Sequence, residues 1–273
     1  MGKALLLARP FGAKLELFLC DWEQAYVLGH AYDREGIRAA QAASVAEARG
    51  YLSGLGELDE AAGVEIAVDA ECASPLYEAV VRKVLRSEPE LVIKAIAATD
   101  AKKHGMPDPN DWQLLRTCPA TLMLTGSRKW HHPPRFAAAV DVSEGETDEV
   151  ARSVMEASVV LAEAFGAELH LVYGEGAPAV QSARVAKLRG LCDEAGIAPE
   201  RMHVLSGQPE RILPVFVRDQ GYDALVLGAL AHRAAGTTPV GTLTSTLLDT
   251  LDCDFVLVKP PGYRSPIDTT VAR

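Results

Sequence analysis

Paired cysteines are missing from this sequence of 273 residues. Its five cysteines, Cys20, Cys72, Cys118, Cys192 and Cys253, are odd in number, widely and irregularly spaced, and form no CxxC. That excludes a zinc site built on cysteine pairs and fits reduced thiols in a cytoplasm rather than a disulfide frame. Basic charge is also scarce: 27 Lys and Arg against 37 Asp and Glu leave a net charge of −10. Without a basic field, neither nucleic acid nor an anionic membrane surface is an expected partner, and a phosphate-bearing ligand needs local backbone donors. Long hydrophobic runs are absent as well. The opening MGKALLLARPFGAKLELFL has an apolar run of five before Arg9 and no cleavage site, and no other run nears the ~18 residues of a membrane span. No G-x-S-x-G, HExxH or P-loop occurs, so hydrolase chemistry has no visible nucleophile or metal. The expectation is a cytoplasmic protein that is not a dedicated enzyme.

What the sequence does contain is a repeat. MGKALLLARPFGAKLELFL from Met1 overlays MEASVVLAEAFGAELHLVY from Met155, with Leu7, Ala8, Phe11, Gly12, Ala13, Leu15 and Leu17 falling on Leu161, Ala162, Phe165, Gly166, Ala167, Leu169 and Leu171, an offset of 154. LVIKAIA from Leu91 overlays LVLGALA from Leu225 at offset 134, and Cys118 to Met123 overlays Cys253 to Val258 at offset 135. One unit is written twice, and the falling offset places about 20 extra residues in the first copy, in the helical stretch from Asp33 to Leu58.

In the second copy, short apolar runs alternate with helical patterns. Strands are expected at Phe136 to Val140, Glu168 to Tyr173, Met202 to Ser206, Ala224 to Leu227 and Phe255 to Val258. Helices are expected at Glu149 to Phe165, Ala179 to Ala195, Pro209 to Gln220 and Thr244 to Leu251. Continuously apolar strands separated by helices predict an α/β fold with a parallel sheet covered on both faces. The counterpart of the strand at Phe136 falls about eighteen residues upstream of Met1, so the first copy is expected to lack its opening strand. A missing central strand leaves a slot near 10 Å with unpaired backbone on both sides, which suggests a reading frame that starts further upstream.

Several stretches carry the family resemblance: FAAAVDVSE, LAEAFGAELHLVY and LVLGALAHRAAGTTPVGTLTSTLLDTLDCDFVLVKP in the second copy, and DPNDWQLLRTCPATLML closing the first. In these the chain resembles the universal stress protein (UspA) family, specifically its tandem, UspE-like members with two such domains in one chain. The resemblance implies two Rossmann-like, flavodoxin-type domains, each with a five-stranded parallel sheet of order 3-2-1-4-5, packed as a pseudo-dimer along their last strands. The expected layout is a first domain over 1–127, a linker over 128–135, a second domain over 136–262 and a tail over 263–273.

The resemblance also implies a nucleotide cradle. Nucleotide-binding members carry a glycine at the fourth strand's end, a second glycine three on, nine residues, then Gly followed by Ser or Thr. Here Gly228 matches the first, Ala231 stands in place of the second, and Gly241 and Thr242 match the close. Glycines permit positive φ and close approach of backbone N–H groups to phosphate, while hydroxyls of Thr242 and Thr244 and the following helix N-terminus add donors. If position 231 needs positive φ, its methyl costs about 1 kcal/mol and obstructs phosphate; if φ is negative there, alanine is harmless. Thr244 or Ser245 alternatively caps the helix. The same carry-over puts Asp141 at the ribose, where a strand-end carboxylate at a switch point belongs, or as a cap with Ser143, and Val172 at the adenine. The cofactor implied is ATP with magnesium.

In the first copy, Lys94 takes the place of Gly228, and PDPND from Pro107 replaces the Gly-Thr turn. Asp108 and Asp111 satisfy that helix's dipole and repel an anion, so this copy is read as non-nucleotide-binding, with Lys94 paired to an aspartate such as Asp100. GEGAPA from Gly174 fits G-x-G-x-x-A loosely, with a flexible loop as the alternative. His131 and His132 lie in the linker, with a solvated segment favoured over a metal site, and His232 lies in the cradle loop. Trp22, Tyr26, Tyr32 and Tyr51, with Val27 and Leu28, form an aromatic cluster that either packs in a core or interface or lines a cavity for an apolar ligand.

Three functions remain open on the sequence: a stress-response module holding ATP in its second domain, a nucleotide-free scaffold acting through protein or apolar-ligand contacts, and a weak nucleotide hydrolase. A homodimer is compatible with each.

Overall fold

A computed structural model of the chain describes residues 1–29, 33–96, 107–142, 148–176, 182–230 and 241–268. Two compact units result, one of Met1–Ser87 with Ile267–Arg273 and one of Glu88–Pro266.

The first unit contains α1 (Gly2–Phe11), β1 (Leu15–Cys20), α2 (Trp22–Leu28), α3 (Arg34–Gly56), β2 (Ile66–Glu71) and α4 (Leu76–Ser87). β1 and β2 pair in parallel, from Leu15 opposite Ile66 to Cys20 opposite Glu71. The stretch expected to be the helical insertion is α3, whose N-cap Asp33 accepts the Glu35 N–H, a normal start for a long helix. Ala48 and Leu52 of α3 and Ala79, Val81 and Val84 of α4 are buried. Lys83 of α4 reaches Glu16 of β1 at 2.7 Å and Asp69 of β2 at 2.9 Å, tying the helix to both strands.

The second unit contains β3 (Leu91–Ala95), α5 (Pro109–Thr117), β4 (Thr121–Thr125), β5 (Arg135–Ala139), α6 (Asp148–Phe165), β6 (Glu168–Glu175), α7 (Ser182–Glu194), β7 (Met202–Ser206), α8 (Pro209–Gln220), β8 (Ala224–Gly228), α9 (Thr242–Thr250) and β9 (Asp254–Val258). Its strands form one seven-stranded sheet, ordered β3-β4-β9-β8-β5-β6-β7. All neighbours are parallel except β4 and β9, which run antiparallel with Met123 opposite Val256. Phe136, Leu171, Leu225, Phe255 and Leu257 make the buried middle of the sheet. Continuous apolar strands therefore do mark a mainly parallel sheet.

The repeat is visible in backbone detail. Gly12 closes α1 with φ 56° and Gly166 follows α6 with φ 58°. The next residue donates back five positions in both, Ala13 N–H to Ala8 O at 2.9 Å and Ala167 N–H to Ala162 O at 2.8 Å. This is the same left-handed helix stop, for which glycine has no Cβ penalty.

The compact units do not follow the two copies. β3 and β4 belong to the first copy by sequence, but β4 bonds to β9, so their hydrogen bonds continue into the second copy's sheet. Residues 128–135, read as a solvated linker, are instead built into the second unit. Asp223, fully buried, accepts the backbone N–H groups of His131 at 3.1 Å and Arg135 at 2.9 Å, and His131 Nδ1 lies 2.8 Å away. Trp130 donates its indole N–H to Asp254 at 2.8 Å and stacks edge-on against Phe136 and Phe165. A buried carboxylate needs such donors, and the segment supplies them.

Candidate functional site

β5 is flanked by β6 on one side and β8 on the other, all parallel. The connections leaving β5 and β8 therefore diverge at their carboxyl ends, a switch point where α/β sheets place ligands. Asp141 sits two residues beyond β5 and is exposed. Gly228 closes β8, and the N-terminus of α9 follows it in sequence after the cradle loop.

α9 begins earlier than its pattern suggested, at Thr242, with Gly241 as N-cap and no side-chain cap. Gly241 is extended and its carbonyl accepts the Ser245 N–H at 3.0 Å, so the helix starts at the glycine and neither Thr244 nor Ser245 caps it. Thr244 is instead the third helical residue, buried, with its hydroxyl donating to the Gly228 carbonyl at 3.4 Å. Thr242 is exposed at the first position. Thus Gly228, Gly241, Thr242 and Thr244 are brought together, with first-turn N–H groups lacking a side-chain acceptor at the N-cap. Ala231, His232 and Gly236 lie outside the described residues, as does Ser143.

Two observations supply packing reasons for residues read as ligand contacts. A Cβ on Gly228 would stand 3.1 Å from Val150 Cγ1 of α6, so the glycine lets that helix approach the strand end. Val172 is fully buried within β6 opposite Ala139, in the sheet interior rather than on an open wall.

The dinucleotide reading of GEGAPA does not survive. β6 extends to Glu175, placing Gly174 inside the strand, where a Cβ would meet Pro209 Cβ at 3.0 Å and Leu213 Cδ1 at 3.2 Å. Gly174 serves the close packing of α8 on β6, not a phosphate turn. The next residue was missed: Glu175 is buried and pairs with Arg184 of α7 at 2.6 Å. Only its polarity inside an apolar strand signalled it. Burial, reinforced by the Glu175 charge, pushes the neighbouring Tyr173 hydroxyl up to about 12.

The corresponding place in the first copy is closed by charge. Asp108 caps α5 by accepting the Asp111 N–H at 2.9 Å, and Asp111 returns the bond by accepting the Asp108 N–H at 2.8 Å, a capping box. Lys94 approaches Asp111 at 2.5 Å and Asp108 at 3.6 Å. Its described partners are thus these two, while Asp100 lies outside the described residues. Burial raises the Asp111 carboxyl above its ordinary value although Lys94 opposes the shift.

In the first unit, Trp22 and Tyr51 line a cleft of about 460 Å³ with Asp21, Glu23, Ser44 and Glu47. Tyr26 and Val27 are largely exposed, and Tyr32 lies outside the described residues. Among the described residues, the aromatic cluster therefore does not close into a core. Among the described residues no cluster of three or more metal-ligating side chains occurs, and no helix is long and apolar enough to cross a membrane.

No family model matches the chain. Universal stress protein E of Escherichia coli K12 is 22% identical over 292 aligned positions, covering 98% of this chain and 92% of that protein. A protein of unknown function from Pseudomonas aeruginosa PAO1 superposes with a TM-score of 0.73 at 21% identity, covering 94% of this chain and 86% of its own. A universal stress protein from Archaeoglobus fulgidus gives 0.65 at 14% identity, covering 95% and 90%. These structural likenesses show the fold. The sequence resemblance to tandem, E-type universal stress proteins extends along nearly the whole chain.

Proposed function

We propose that the chain acts as a tandem universal stress protein, a cytoplasmic regulatory or protective module and not a dedicated enzyme, whose second copy holds ATP with magnesium at the switch point beside β5. The observation that carries this reading is the difference between the two helix N-termini. α5 is capped by Asp108 and Asp111, whereas α9 starts at Gly241 with no side-chain cap. Phosphate binds where backbone N–H groups and a helix dipole lack an anionic partner. In this role the first-turn N–H groups of α9 and the Thr242 hydroxyl hold phosphate oxygens, and Asp141 accepts from the ribose hydroxyls. Thr244 fixes the helix start against Gly228. Magnesium supplies charge neutralisation of the phosphates when bound. The antiparallel β4 and β9 support reading the two copies as an intramolecular pseudo-dimer joined through their last strands.

A second reading is supported by the packing at Gly228: a nucleotide-free scaffold in which glycine is kept for the contact with Val150. Titration calorimetry with ATP and magnesium on the parent, Ala231→Gly and Asp141→Ala separates the two. Saturable binding by the parent, weakened about tenfold or more in Asp141→Ala, is the expected result. Silence in the parent with clear binding in Ala231→Gly overturns it and favours the scaffold.

A further inference from the structure

The cleft of the first unit has a chemistry that the nucleotide site does not share. Asp21 ends β1 and caps α2, accepting the Gln24 N–H at 3.0 Å on one oxygen and the Ser44 hydroxyl at 2.6 Å on the other. These bonds fix the start of α2 against α3. On α3, Ser44, Glu47 and Tyr51 recur at helical spacing, so they share one face; Trp22 and Glu23 open α2. All six line the same cleft of about 460 Å³, a volume suited to a small molecule.

The lining combines two aromatic rings and the small apolar surfaces of Leu19, Cys20 and Ala48 with three carboxylates, and no lysine or arginine is among the described lining residues. An anion would be repelled by the carboxylates. A wholly apolar ligand would strip water from them without replacing its hydrogen bonds. A cation with a methyl or methylene body satisfies both parts of the lining: its charge is matched by the carboxylates, and its body by the aromatic and apolar side chains, the combination used in cation–π recognition of alkylammonium groups. We propose that this cleft binds a small alkylammonium cation.

Calorimetric titration of the full chain with choline, against its uncharged isostere 3,3-dimethyl-1-butanol, tests this. The expected result is saturable choline binding with the isostere at least tenfold weaker. Trp22→Ala is expected to weaken choline about fivefold, as loss of one exposed cation–π contact predicts, and Glu47→Gln to weaken it while reducing its salt dependence. Both side chains are exposed at the surface, and unchanged far-UV circular dichroism checks the fold of each variant. The proposal is overturned if choline does not bind, if the isostere binds equally well, or if the folded variants bind choline like the parent.

Discussion

Lys94 and Asp111 meet at 2.5 Å in the first copy, where the second copy has Gly228 and an α9 start without a side-chain cap. Asp111 is buried, so its charge depends on that ammonium. Lys94→Met is expected to destabilise the second unit by about 2–4 kcal/mol, because removing one partner of a buried pair strands the other. Adding Asp111→Asn should recover part of the loss while leaving α5 capped by Asp108. Urea unfolding followed by circular dichroism measures both.

Gly228 offers a test between cradle and packing. Gly228→Ala sets a methyl 3.1 Å from Val150 Cγ1 and is expected to cost about 1–2 kcal/mol through overpacking. Val150→Ala in the same chain should relieve that overpacking, giving a favourable coupling in a double-mutant cycle. If the double variant also retains ATP binding, the glycine serves the helix contact; if binding is lost while stability recovers, it serves phosphate approach.

Stability is expected to fall in mild acid. His170, buried on β6, and His203, half-buried on β7, stack with centroids 5.2 Å apart and share a hydrogen bond of 2.9 Å. Burial lowers His170 to about 4 despite Glu168, with Arg135, Arg201 and His203 opposing its charge; burial lowers His203 as well. The unfolded chain then binds more protons than the folded one between about pH 6.5 and 4, so stability drops as pH falls through that window. Urea midpoints at pH 7 and pH 4.5 should differ, and His170→Leu should flatten the difference. An unchanged midpoint in the parent would rule out a pair held neutral by burial of His170.

Asp223 anchors residues 128–135 to β8 through the N–H groups of His131 and Arg135. Asp223→Ala leaves these donors without their acceptor and is expected to cost about 3 kcal/mol. Proteolytic nicking should then appear near residues 128–135. An intact, equally stable variant would mean that water replaces the carboxylate.

Much of the fold was legible because it rests on local pattern. Gly12 and Gly166 mark the same helix stop, and short apolar runs such as Leu225 to Leu227, set between helical patterns, read as strands buried on both faces. α9 starts two residues before the position its pattern predicts, because the hydroxyls of Thr244 and Ser245 mimic caps, whereas the helix begins at an extended glycine. Gly174 departs from its loop-like pattern for a related reason. A glycine's local freedom shows in the sequence, but the helix that packs on it lies 35 positions on, at Pro209. Of the candidate site, Gly228 at a strand end and Gly241 at a helix start were legible from local pattern, while the bond from Thr244 to the Gly228 carbonyl and the buried pair of Glu175 and Arg184 join elements that no local rule connects.

The sequence by itself determined that this chain is written twice, that its strands are apolar and parallel-type, and that its first copy carries charge where the second carries glycine. These follow from periodicity, backbone freedom and residue chemistry, which act over a few positions. Only tertiary structure decided that β3 and β4 join the second copy's sheet, that Asp223 holds residues 128–135, and that Trp22 and Tyr51 line an acidic cleft. Those outcomes depend on hydrogen bonds and packing between residues far apart in the chain, where partners are chosen by the geometry of the whole fold.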